Sequence, residues 1–264
     1  GTLKLTGNLN SATDLVIAPS ATLDLQAALT AATLDLDGTI SNTAGTSSLI
    51  ISGTANLGGS ITTTGTQTYT GAVTLSGGDR MLQGSTVNFG GTITGTGSHD
   101  LTVTGNLDLD DAMTSVVDLS VSGTSNLGAD ITTTGTQTYT GVVTLSGGDR
   151  ILQGSTVNFG GTITGTGSHD LTVTGNLDLD DAMTSVVDLS VSGTSNLGAD
   201  ITTTGTQTYT GVVTLSDDIA LTTSGADVIF NDEVVTDYSS SSLVPEVIQF
   251  LGNGGYQYSS DGGS

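Results

Sequence analysis

The sequence predicts an all-β chain, a right-handed parallel β-helix (β-solenoid) with about three coils per 70-residue repeat. Three observations carry that expectation. Residues 121–190 match 51–120 at all but six positions, and a further copy runs unchanged from Val191 to Ser216. Apolar and polar residues alternate in short runs, the pattern of strands with one face turned inward. Gly, Asn or Asp punctuates nearly every run, and such residues take turn conformations at low steric cost.

Residues 1–50 read as degenerate coils. From 51 to 216 the repeats follow as 51–120, 121–190 and the partial copy 191–216. Within a repeat, Leu171 and Val173 alternate with Asp170, Thr172 and Thr174, and Leu177 and Leu179 with Asp178 and Asp180. Val187, Leu189 and Val191 alternate with Asp188, Ser190 and Ser192. This reading gives about eight strands per unit and a coil of roughly 23 residues, stacked at about 4.8 Å. About eleven such coils would form a rod on the order of 50–55 Å long. Tandem β-sandwiches are the competing architecture, but such domains commonly run to about 100 residues around an aromatic core residue. Trp is absent here.

Residues 217–264 depart from the repeat and read as a cap or a subunit-docking segment. The stretch 242–252 carries a helix N-cap pattern with Pro245 and Glu246 in the first turn, and 247–251 reads equally as a strand. Val247, Ile248, Phe250, Leu251, Tyr256 and Tyr258 are the expected assembly interface, giving a head-to-tail homo-oligomer or filament.

Lys4, Arg80 and Arg150 are the only basic residues beside 26 acids, for a net charge of −23. Three cations cannot build a basic patch, which argues against nucleic acid as a partner. No apolar run reaches the roughly 18 residues of a membrane span. The chain has no cysteine and begins at Gly1, in keeping with a processed secreted protein or a piece of a longer one.

The stretches ITTTGTQTYTGVVTL (131–145), VNFGGTITGTGSHDLTVTG (157–175) and NLDLDD (176–181) resemble the repetitive passenger regions of bacterial filamentous-haemagglutinin-like adhesins and autotransporters. The resemblance covers roughly residues 45–216, with an echo at 3–9 (LKLTGNL) of 101–107 (LTVTGNL). It implies a right-handed parallel β-helix that is secreted and displayed on the bacterial surface. The implied role is an adhesin or fibre that meets a host or neighbouring-cell glycan or protein. It carries over no catalytic residue.

Asp108, Asp110 and Asp111, repeated as Asp178, Asp180 and Asp181, form the sharpest chemical cluster. Oxygen-rich groups of that kind suit calcium, the one cofactor considered, but a solvated acidic ridge is the favoured reading. His99–Asp100 and His169–Asp170 read as exposed turn residues, since strand neighbours point to opposite faces. Asp149–Arg150 reads as a corner ion pair. Thr136, Thr138 and Thr140 share a strand face, but an ice-binding plane would need matching threonines on consecutive coils. The function expected is a non-enzymatic extracellular structural protein. The alternatives are a polysaccharide-acting β-helix enzyme and an ice-binding solenoid.

Overall fold

The computed structural model describes residues 1–10, 13–165, 169–216 and 218–236, with the backbone of the strands Val247–Leu251 and Gly255–Ser259. Among these residues every regular element is a strand. The chain divides into two compact units, Gly1–Gly135 and Thr136–Ser264.

In the first unit each strand pairs in parallel with the strand one coil later. One face runs through Thr2, Thr22 and Thr39 and continues as Ile40, Ile61 and Leu82. It ends as Arg80, Leu101 and Leu119. A second face stacks Leu9, Leu29, Leu49, Gln67, Val87, Leu107 and Ser125. The third stacks Leu15, Leu34, Ala55, Val73, Ile93, Met113 and Ile131. Residues of these three stacks lie 17 to 21 apart, so a coil is shorter than the 23 residues expected. Inward positions are almost fully covered: Leu49, Leu82, Ile93 and Met113 are all 0% exposed. The stacked aliphatic core is therefore a parallel β-solenoid, as the alternation predicts.

The second unit is built the same way. Its faces run through Gln137, Val157, Leu177, Ser195, Val213 and Val234, and through Val143, Ile163, Met183, Ile201 and Leu221. The third runs through Arg150, Leu171, Leu189, Gln207 and Val228. The solenoid thus continues past Ser216 through the strands Ala220–Thr223, Val228–Phe230 and Val234–Thr236. The strands Val247–Leu251 and Gly255–Ser259 form an antiparallel hairpin whose second strand pairs with Ala220 and Leu221. The helix considered for 242–252 is replaced over 247–251 by strand.

One repeat contains eleven strand segments, not eight. They are Ala55–Leu57, Ile61–Thr62, Gln67–Tyr69, Val73–Leu75, the two halves of Arg80–Phe89, Ile93–Gly95, the two halves of Leu101–Leu109, Met113–Val116 and Leu119–Val121. The two long strands were missed as bent elements because each turns a corner without a break in pairing: the register shifts between Gln83 and Thr86. Gly105 makes the bend. Its φ is +133°, and a Cβ there would run into the Gly84 carbonyl oxygen.

Eleven segments on three faces leave two over, so a repeat makes three and two-thirds coils. Residues 70 apart were expected in equivalent coils; instead each copy shifts to a different face. Ala55–Leu57 lies on the third face of the first unit, and its copy Ser125–Leu127 on the second. Ile61–Thr62 lies on the first face and its copy Ile131–Thr133 on the third. Within the second unit, Gln137–Tyr139 and its copy Gln207–Tyr209 again stand on different faces. The shift is tolerated because all three faces present the same inward-outward alternation to the same aliphatic interior.

Candidate functional site

The acidic cluster is spread out by the strand geometry. Asp108 points outward from Leu101–Leu109 in a column that reads Thr68, Asn88, Asp108, Asn126. Its Oδ1 accepts the Asn126 amide at 2.7 Å, and Asp178 accepts that of Asn196 at the same distance. Asp111 and Asp181 lie beyond the strand ends, where each Oδ1 accepts the following backbone N–H of Ala112 or Ala182 at 2.7 Å. The Asp110 and Asp180 backbones bond to Phe89 and Phe159. Among the described residues no three His, Cys, Asp or Glu side chains are placed to share a metal ion.

A second set of carboxylates was invisible in the sequence because its members come from successive coils. Asp79 Oδ1 accepts the Asp100 N–H at 3.2 Å, and Asp100 Oδ1 accepts the Asp118 N–H at 3.1 Å. The second unit repeats this with Asp149, Asp170 and Asp188, at 3.1 Å for both bonds. Each carboxylate ties one corner to the next. The one legible signal is the spacing of the aspartates, which matches the coil length.

The two arginines sit at this corner in their respective units. Arg80 is 8% exposed, and its Nε donates to the Gly78 carbonyl at 3.1 Å. Burial lowers its pKa, and Asp79 offsets part of that. The ion pair expected of Asp149–Arg150 gives way to the same arrangement: Asp149 Oδ1 takes the Asp170 N–H, and Arg150 Nε donates to the Gly148 carbonyl at 3.3 Å. His99 is half-buried and its Nδ1 has no partner among the described residues. Its neighbour Asp100 is committed to Asp118, so the two form no acid–base pair.

Polar groups also lie in the core. Gln67 is fully buried; its Nε2 donates to the Gln83 carbonyl at 2.8 Å and its Oε1 accepts the Tyr69 hydroxyl at 2.9 Å. Tyr69 in turn stacks on Phe89 with ring centroids 5.3 Å apart. The same lock recurs at Gln137–Tyr139–Phe159 and Gln207–Tyr209–Phe230. Burial pushes all three phenols well above the ordinary tyrosine range. The lock satisfies itself and offers nothing to a ligand.

Thr138 pairs with Asn158, so the run Thr136–Thr140 does not start a threonine plane. A threonine column forms elsewhere, from different parts of the repeat brought into register by the coil. Thr144, Thr164 and Thr184 stack on consecutive coils, with Thr202 and Thr222 paired beyond. A surface groove of about 410 Å³ in the first unit is lined by Asp14, Asp35, Asn56 and Thr74. Its two carboxylates accept from Thr33 at 2.7 Å and Asn56 at 2.9 Å. The side chains of Val247, Ile248, Phe250, Leu251, Tyr256 and Tyr258 lie outside the described residues.

No protein-family model, curated protein or solved structure matches the chain.

Proposed function

We propose that this chain is a non-catalytic, acidic β-solenoid scaffold that works outside the cell as a surface adhesin or fibre subunit. The observation that carries the reading is the use of its chemistry-bearing side chains. Asp79, Asp100, Asp108 and Asp111, with their copies, accept hydrogen bonds that tie coils and turns together. Gln67 and Tyr69 close on each other in the core. The resemblance to secreted passenger repeats supports the extracellular setting. Head-to-tail association into filaments, and contact with a cell-surface glycan or protein, belong to the same proposal. Incubation with neutral and acidic polysaccharides tests it: chain lengths should stay unchanged, and reproducible shortening would overturn the scaffold reading.

The threonine column gives ice binding a specific observation of its own, a row of hydroxyls at the spacing between coils. Thermal hysteresis and ice-crystal shaping decide between the two. The scaffold reading expects neither, because the column stands beside Val142, Thr162, Ala182, Asp200 and Ala220, a row with a single threonine.

A further inference from the structure

The two complete junctions between repeats are interchangeable. In the first unit, residues 101–116 carry the start of the next copy through Leu101–Leu119, Val103–Val121, Leu107–Ser125, Leu109–Leu127 and Met113–Ile131. In the second, residues 171–186 carry the following copy through Leu171–Leu189, Val173–Val191, Leu177–Ser195, Leu179–Leu197 and Met183–Ile201. The polar contacts coincide as well. Ser122 and Ser192 accept from Gly105 and Gly175 at 3.1 and 3.0 Å. Asn106 and Asn176 accept from Thr124 and Thr194 at 3.0 Å. Asn126 and Asn196 donate to Asp108 and Asp178 at 2.7 Å. Residues 121–146 and 191–216 are identical, as are 101–120 and 171–190. A coil surface ending at residue 190 therefore cannot distinguish its own 191–216 from residues 121–146 of another molecule.

We infer that the chain takes a second copy of itself as a partner by unequal coil exchange, independently of the proposed adhesin role. Residues 121–264 of one molecule stack on 171–190 of the other, while residues 191–264 of the second stack on 101–120 of the first. One of the paired solenoids gains a repeat and the other loses one. The strand ladders from 125 and 195 onward and the Asn–Asp pairs are retained, and only the corners 122–124 and 192–194, with the bonds of their serines and threonines, must open. Such exchange needs no exposed interface, and it arises while coils are still assembling, when repeat proteins are most open to misassembly. The high negative charge opposes it at low salt, so its yield should rise with ionic strength.

The Asn–Asp pair provides a code to test this. Asp178→Asn combined with Asn196→Asp keeps one amide facing one carboxylate within a chain. A crossed junction would then set the carboxylates at 108 and 196 against each other. Adding Asp108→Asn and Asn126→Asp reverses both junctions and makes them interchangeable again. Two differently labelled full-length populations are unfolded, mixed and refolded across the roughly micromolar to 100 micromolar range where such misassembly appears. Mixed oligomers are counted by native mass spectrometry. The expected result is a mixed fraction that grows with concentration, falls roughly fivefold in the single reversal through like-charge opposition and the lost hydrogen bond, and returns in the double reversal. Should the single reversal reduce folding yield, mixing the original chain with the doubly reversed one makes the same discrimination, because crossed junctions then set like against like. Equal mixing in every combination would locate the contact elsewhere, and monomers at all concentrations would exclude exchange; either result overturns the inference.

Discussion

Ser125 and Ser195 each bury a hydroxyl that finds no partner, at 1% exposure. The first copy has Ala55 at this position, itself 2% exposed. An orphaned buried hydroxyl is destabilising, so Ser195→Ala should raise stability by about 1 kcal/mol, and Ala55→Ser should lower it by a similar amount. Urea denaturation midpoints at unchanged slope check both. Asp24 is the opposite case, a buried carboxylate whose bonds are all made. Thr43 Oγ1 donates to it at 2.6 Å, the Thr43 and Gln26 nitrogens at 2.9 Å, and Lys4 approaches to 3.6 Å. The Thr43 hydroxyl is the largest cause holding its pKa below the ordinary value of 3.8, against the opposing effect of burial. A carboxyl more acidic when folded contributes stability that is complete above its unfolded pKa. That contribution is lost as pH falls through the folded value. Acid should therefore loosen the first coils below about pH 4. Asp24→Asn should flatten the dependence, read by amide exchange of 22–25 against pH.

At the scale of the element, two devices hold the coil, and each makes a prediction. The long strands turn their corner on glycine, so Gly105→Ala forces a methyl group onto the Gly84 backbone and also strains φ at +133°. A loss of about 3 kcal/mol is expected, against about 0.5 kcal/mol for an outward change such as Thr94→Ala. Thermal unfolding of the two variants gives the comparison. In the polar lock, Tyr69→Phe leaves the Gln67 oxygen without its donor, and Gln67→Leu leaves the Tyr69 hydroxyl and the Gln83 carbonyl without Gln67. Each should destabilise by about 1–3 kcal/mol, while the pair together should fall short of the sum. A double-mutant cycle by chemical denaturation measures the coupling. Additive losses would mean that the lock is not a unit.

For the whole molecule the controlling number is the eleven segments of the repeat. Removing 121–190 joins residue 120 to a sequence identical to the one it normally precedes. The shortened chain should fold cooperatively with unchanged circular dichroism per residue. Failure of the 70-residue excision would show that the copies are not modular.

Alternation along 171–191 was enough to predict which side chains enter the core, because the two-residue period of a strand is local. The fold class followed from the same pattern together with the repeat and its short strands. The partners across each ladder were not legible, since they depend on coil closure, which sums the lengths of three strands and three corners. That sum places a 70-residue copy on a different face, and brings Thr144, Thr164 and Thr184 into one column. It also sets Asp79 beneath Asp100. The inward turn of Gln67 and Arg80 was hidden for a related reason. A polar residue enters a β core only where the next coil supplies its hydrogen bonds, as the Gln83 carbonyl does for Gln67. The sequence by itself determined the repeat, the short strands and their aliphatic inward faces; only the tertiary structure decided which strand lies on which, because stacking is a property of the closed coil.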